Sequence, residues 1–251
     1  MAHENPSWGE ERIANELLLK LGLRISPRTI HKYLPKPPAA PGGHRRHDQR
    51  WSTFLKNHAA AIIACDFCVV ASATFRLFYV LVVMEHASRR LIHLNVTAHP
   101  TAAWTPQQLR EAIPSDHTYR FILHDHDAIF APGFDESLAH LDLEIITTPV
   151  RSPQANALCE RLIGTLRREC LDGIIPLTED HLRRTLWSWL PHYNRGRPHT
   201  SLGPGLPVPQ RHCPPAQLQR QRHRFDRPSR VVAHPVLNGL HHEYRLSARA
   251  A

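Results

Sequence analysis

Apolar residues recur at helical spacing between Trp8 and Leu21, where Ile13, Ala14, Leu17, Leu18 and Leu21 share one side and Gly22 is placed to stop the helix. A second short helix is predicted from Ser26-Pro27, an N-cap residue followed by proline at the first helical position, with Ile30, Tyr33 and Leu34 along one face. Residues 35–50 are crowded with Pro, Gly and charge, a composition that continues neither helix nor strand, and read as a linker. Beyond residue 59 the pattern becomes that of short β-branched and aromatic runs. Ala61–Val70, Phe75–Met84 and Arg90–Thr97 are predicted as three antiparallel strands. A helix at Pro106–Ala112, a strand at Tyr119–His124, a helix near Phe134–His140, a strand at Leu143–Thr147 and helices at Pro153–Leu171 and Thr178–Tyr193 complete the order βββαβαβαα. After Asn194 the chain turns Pro- and Arg-rich, with a strand pair expected at Arg230–Leu237 and His242–Leu246.

The 251 residues are 42% hydrophobic and 21% charged, which excludes global disorder and coiled coil and leaves room for one large domain or two small ones. The apolar runs fall well short of the ~20 residues a membrane helix needs. Met1-Ala-His-Glu-Asn-Pro-Ser lacks the layout of a signal peptide, so a cytoplasmic protein with no membrane partner is expected. Five cysteines without framework spacing suit reduced thiols. Formal charge by segment is +4 for residues 1–50, −4 for 51–150, +7 for 151–225 and +2 for 226–251, an acidic middle between basic flanks. A nuclease needs that combination, carboxylates for metal ions beside arginines for phosphate; a solvated basic surface produces the same numbers.

Three carboxylates stand out. Asp66 interrupts the apolar run Ile62-Ile-Ala-Cys-Asp-Phe-Cys-Val-Val, where a buried charge demands a cation or several donors. Asp125 ends the strand Phe121-Ile-Leu-His, where open α/β sheets bind ligands. Glu160 lies in the helix opened by Ser152-Pro153, sharing a polar face with Gly164 and Arg167 while Leu158, Leu162 and Leu166 form the apolar stripe. That face suits a metal ion and a phosphodiester, or plain solvent. Arg28, Thr29, His31 and Lys32 on the second N-terminal helix are placed for contact in a DNA major groove, as far as helical hairpins serve that purpose. Arg151, His199 and Thr200 are loop candidates for phosphate contact. Cys65 and Cys68 alternate across a strand and read as packing residues rather than a metal pair. No phosphate-cradling glycine loop is present, so no nucleotide cofactor is expected.

Asp66 and Asp125 stand at an interval of 59, Asp125 and Glu160 at one of 35. In the order Asp, Asp, Glu on first strand, fourth strand and following helix, they resemble the catalytic core of retroviral-type integrases and of insertion-sequence transposases with a ribonuclease H-like fold. Ser152-Pro-Gln-Ala-Asn-Ala-Leu-Cys-Glu-Arg-Leu-Ile-Gly-Thr-Leu-Arg-Arg-Glu-Cys resembles that family's segment around its final glutamate. Tyr193-Asn-Arg-Gly-Arg-Pro-His-Thr-Ser-Leu-Gly resembles the segment closing its core, and Trp8-Gly-Glu-Glu-Arg-Ile-Ala-Asn-Glu-Leu the helix-turn-helix ahead of it. His124-Asp-His-Asp stands where many relatives have Asp-Arg-Gly, so Asp127, at an interval of 33 from Glu160, is a second candidate. Relatives carry a further DNA-binding unit ahead of the position of Trp8, so the chain reads as shortened.

The resemblance implies an α/β fold: a ribonuclease H-like core with a five-stranded mixed sheet flanked by helices at 51–210, preceded by a helix-turn-helix unit at 1–34 and the linker at 35–50, and followed by a basic tail at 211–251 with a short strand pair. It implies Asp66, Asp125 and Glu160 as catalytic residues and as ligands of two Mg²⁺ ions, Mn²⁺ being able to substitute, spaced about 3.5–4 Å for in-line phosphodiester displacement. Arg161, Gly164, Arg167 and Arg168 become the expected phosphate contacts, and Arg28, Thr29, His31 and Lys32 the contacts to element ends. The implied partners are element ends, target DNA and further copies of the chain in a nucleoid-associated multimer, acting by nicking and strand transfer without ATP. A DNA-binding remnant without chemistry and a nuclease that hydrolyses without joining share the same fold and charge.

Overall fold

The computed structural model describes residues 1, 5, 8–34, 49–125, 134, 138, 141–147, 156–203, 205–209 and 229–248. Its elements are α1 (Glu10–Leu21), α2 (Pro27–His31), α3 (Gln49–His58), β1 (Ile62–Ala71), β2 (Leu77–Glu85), β3 (Leu91–Thr97), α4 (Trp104–Ala112), β4 (Phe121–His124), β5 (Glu144–Thr147), α5 (Ala157–Glu169), α6 (Glu179–Pro191), β6 (Ser229–Val236) and β7 (His241–Ala248). No helix among the described residues is long and apolar enough to cross a membrane. The expected helix near Phe134–His140 and the segment Ser152-Pro153 lie mostly or wholly outside the described residues.

Two compact units are present, His44–Trp187 and Met1–Gly43 with Ser188–Ala251. These boundaries differ from the sequence expectation: the sheet unit closes at Trp187 rather than at 210, and the N-terminal helices share a unit with the C-terminal strands. A pair of short helices buries too little apolar surface to stand alone.

The sheet of the first unit has the order β3-β2-β1-β4-β5, with β1, β2 and β3 antiparallel and β4 and β5 parallel to β1. This is a five-stranded mixed sheet flanked by helices, as the sequence resemblance implies. Alternation assigns its faces. Ile63, Cys65 and Phe67 of β1 join Leu81, Val83, Ile122, Leu109 and Ile113 in one core under α4. Ile62, Ala64 and Asp66 have the opposite parity and face α5, whose buried side is Cys159, Leu162, Thr165, Leu166 and Glu169. The expected stripe of Leu158, Leu162 and Leu166 is thereby rotated: Leu158 is half-buried, and Cys159 takes the buried place. α3 was not expected, because Phe54 is its main apolar anchor, packed edge-on to Phe121 at 5.5 Å. At the β3 edge, Arg183 of α6 donates to Asn95 Oδ1 at 3.0 Å and to the Val96 carbonyl at 3.0 Å.

In the other unit, α1 ends at Gly22 (φ 69°), a left-handed residue without a Cβ to strain, whose N–H bonds to Leu18 while Leu23 bonds to Leu17. Ser26 Oγ accepts from Thr29 N at 3.1 Å to start α2. Trp8, Ile13, Ala14, Leu21, Ile30 and Tyr244 form this unit's core, the last supplied by β7. Tyr33, expected on the buried face, is exposed, because α2 stops at His31. Arg12 and Glu16, on the side of α1 that amphipathicity assigns to solvent, are buried.

Candidate functional site

The β1–β4 ladder pairs Ile62 with Phe121, Ile63 with Ile122 and Ala64 with Leu123, a constant offset of 59. Asp66 and Asp125 differ by the same offset and lie two positions beyond the last pair, Ala64 with Leu123. Residues paired in a parallel ladder share a face; Asp66 has the parity of the α5 side, and Asp125 directly follows β4. Asp66 is half-buried in β1, and its Oδ1 accepts from the Phe67 N–H at 2.8 Å. Asp125 is exposed at the strand end, its carbonyl 2.9 Å from Nδ1 of buried His124. Asp127, the alternative ligand, and Arg151 lie outside the described residues.

The helix bearing the third carboxylate is tied to β1 at two points. Asn156, at its N-terminal end, donates to the Cys65 carbonyl at 3.3 Å, and Arg167 Nη2 donates to the Val69 carbonyl at 3.2 Å. Between them Cys159 is fully buried, and its thiol is pushed well above the ordinary range by burial first and then by the charges of Asp66 and Glu160. Glu160 itself is exposed, one residue along the helix. Burial also raises the Cys65 thiol, and that of Cys68 to about 12, so these cysteines are protonated packing groups, as the strand alternation indicated.

The donor set consists of hard carboxylate oxygens, the chemistry that suits Mg²⁺ and Mn²⁺. Among the described residues no three His, Cys, Asp or Glu side chains are grouped as a metal site. The two aspartates are separated by the offset of the β1–β4 ladder, and the glutamate lies on α5, which is bonded to β1. Arg161, Arg167 and Arg168 are exposed along α5. Gly164 sits under the Arg168 guanidinium, where a Cβ would meet Nη1 at 3.2 Å, and so gives that side chain room to lie along the helix. Sequence reasoning passed over Asn156 and Cys159. Both fall inside the segment that carries the family resemblance, and their role is visible only against β1.

In the other unit Arg28, Thr29, His31 and Lys32 are all exposed on or just after α2, with Thr29 Oγ1 2.8 Å from Ser26 Oγ. His199 is buried with Nε2 3.1 Å from the Tyr193 carbonyl, which removes it from phosphate contact, while Thr200 is exposed.

Comparison with known proteins matches residues 141–207 to the Integrase core domain family. The Escherichia coli transposase InsD of insertion element IS2A/D/F/H/I/K is 25% identical over 182 residues, covering 68% of this chain and 58% of its own length. The IS2E InsD protein of Escherichia coli (strain K12) matches at the same identity over 80% of its length. The chain thus spans less than two thirds of most of the curated relatives it matches. Among solved structures, the HTLV-2 integrase catalytic core domain in complex with magnesium aligns with 16% identity and a TM-score of 0.45, covering 57% of this chain and 91% of that one.

Proposed function

We propose that the chain is a member of the family of transposases and integrases that carry the integrase core domain, as its match to that family and its likeness to InsD support, and that it nicks DNA at the ends of a mobile element and joins those ends to target DNA. The observation that supports this reading is the offset of 59 in the β1–β4 ladder, equal to the interval between Asp66 and Asp125, with Glu160 on the helix bonded to β1. Asp66, Asp125 and Glu160 would hold the divalent cations. Bound there, such ions supply Lewis-acid chemistry for in-line displacement at phosphorus.

The chain's own groups do the rest. The apolar flanks of Asp66 keep its carboxylate in a setting of reduced dielectric, where cation binding is favoured over hydration. Arg161, Arg167 and Arg168 line the exposed side of α5 beside Glu160 and neutralise the phosphodiester backbone. Asn156 positions Glu160 by fixing the start of the helix on β1. Arg28, Thr29, His31 and Lys32 contact element ends, and no covalent protein intermediate is formed.

Labelled duplexes bearing the sequences that flank the gene, incubated with the full chain and Mg²⁺, test the reading. Joined product is expected. Nicked product without joining would reassign the chain to hydrolytic nucleases, and a mobility shift without chemistry would reduce it to a DNA-binding protein.

A further inference from the structure

β4 ends on His124, and the residue that follows is Asp125. The β1–β4 ladder stops at Ala64 with Leu123 and the β4–β5 ladder at His124 with Thr147, so Asp125 stands just past the last pair of each. A strand end outside its ladder loses the backbone restraint that would aim its side chain, and a metal-binding carboxylate has to be held to within about 0.5 Å. His124 supplies a restraint. Its side chain is buried, 4% exposed, and alternation gives it the parity of Ile122, on the side of the sheet where Phe134 and Leu138 complete the core. The imidazole meets the Phe134 ring edge-on, with centroids 5.1 Å apart at 85°. Packed in this way, it turns Nδ1 to the backbone carbonyl of Asp125 at 2.9 Å. A carbonyl only accepts, so Nδ1 is the nitrogen that carries the proton in this bond.

We propose that His124 is the positioning residue of Asp125: anchored in the core by its ring, it fixes the peptide plane that follows Asp125 and with it the direction in which that carboxylate leaves the strand. The role rests on the reading above, in which Asp125 holds a divalent cation. Because the bond joins sequence neighbours, it closes almost no loop and costs little chain entropy. Because its acceptor is a main-chain atom, it occupies neither carboxylate oxygen. Outer contacts of this kind orient a ligand without touching the ion, and losing one typically weakens metal binding by about 10–100-fold. Ring and donor are separable here. Phenylalanine keeps a ring against Phe134 and has no donor, whereas asparagine lacks the ring but places Nδ2 the same number of bonds from Cα as the histidine Nδ1. If His124 only packs, phenylalanine is the benign replacement; if it positions Asp125, asparagine is.

The test compares the full chain with His124→Phe and His124→Asn, using Mn²⁺ alone as the probe, the free ion counted by electron paramagnetic resonance, and nicking of the labelled duplex in Mg²⁺ beside it. His124→Phe should raise the Mn²⁺ Kd about tenfold or more and lower kcat with KM for DNA unchanged, since the arginines of α5 assigned to DNA are untouched. His124→Asn should recover most of both. Circular dichroism and urea midpoints check folding. Loss of the ring makes His124→Asn the less stable variant, so stability and cation affinity run in opposite orders if His124 positions Asp125 and in the same order if it only packs. Should either variant fail to fold, the other decides, Phe by losing affinity or Asn by keeping it. A His124→Phe chain that binds Mn²⁺ as the parent does, or a His124→Asn chain that loses as much as His124→Phe, overturns the inference. Both outcomes leave the transposase reading standing, because the parent still binds the ion and nicks DNA; a parent that does neither sinks that reading and the role of His124 with it.

Discussion

The side-chain amide of Asn156 donates to the Cys65 carbonyl at 3.3 Å, joining the start of α5 to the residue immediately before Asp66. Asn156 is buried, so this bond carries the full penalty of an unmet donor or acceptor if it is broken. With the bond from Arg167 to the Val69 carbonyl, it is one of two that tie the glutamate helix to the aspartate strand. Asn156→Ala should lower stability by about 1–2 kcal/mol in urea unfolding and lower the Mg²⁺-dependent nicking rate further than that loss of folded protein explains. A nicking rate equal to that of the parent would show that the bond is structural only.

Glu160→Gln should abolish nicking and joining while leaving the fold intact, because the side chain is exposed and contributes nothing to the buried side of α5. DNA affinity should stay equal or rise slightly, since a negative charge beside the phosphate path is removed. Titration calorimetry with Mg²⁺ should show a weaker cation isotherm. Retained nicking would move the third ligand elsewhere.

Glu16 is wholly buried on α1, and burial, partly offset by Lys20 and Arg12, raises its carboxyl to about 7. A carboxyl whose folded pKa lies above its unfolded value favours the native state while protonated. Its contribution is complete below about pH 4.5, declines as pH rises toward 7 and is lost above that, a swing of about 3 kcal/mol. Glu16→Gln should therefore be more stable than the parent at about pH 8 and lose that advantage near pH 5, as read by urea midpoints at the two values. A stability difference independent of pH would refute the assignment.

Gly196→Ala should destabilise the unit that holds the N-terminal helices. Its Cβ would collide with Glu243 Oε1 and lie 2.7 Å from His192 Nδ1. His192 Nδ1 donates to that carboxylate at 3.0 Å, and Arg12 Nη2 donates to Nε2 at 3.3 Å, a pairing that selects the Nδ1–H tautomer. Burial raises the Glu243 carboxyl, but the bond from His192 and the charges of Lys20 and Arg245 outweigh it and hold it below its ordinary value. Displacing the carboxylate should cost about 1.5–3 kcal/mol, the worth of a charge-assisted bond, visible as a lower melting temperature. An unchanged melting temperature would mean that Glu243 swings away freely.

Arg28→Ala with Lys32→Ala should flatten the salt dependence of DNA binding by about 0.9 in log–log slope for each duplex phosphate left without its cation. Both residues are exposed and outside the core, so the fold should be unaffected. Deleting residues 1–34 is a poorer experiment, because it strips Trp8 and Ile13 from Tyr244 and removes Arg12 from His192. Equal slopes for parent and variant would transfer the phosphate contacts to the arginines of α5.

The amino-acid sequence by itself determined the strands of the sheet, their order of appearance and the spacing of the three carboxylates. These follow from local periodicity, and the interval between Asp66 and Asp125 equals the offset between the paired positions of β1 and β4. Tertiary structure alone decided what long-range partners impose. Arg12 and Glu16 look like solvent-facing positions of an amphipathic helix, yet they are buried: Arg12 meets His192, far along the chain, at 3.3 Å, and burial raises the Glu16 carboxyl to about 7, toward its neutral form. The same holds for Cys159, which takes the place expected of Leu158 because the rotation of α5 is set by its two bonds to β1. Helical period says which residues share a face; only the partner surface says which face is covered, and burying a charge is tolerated only where that surface returns a hydrogen bond or an opposite charge.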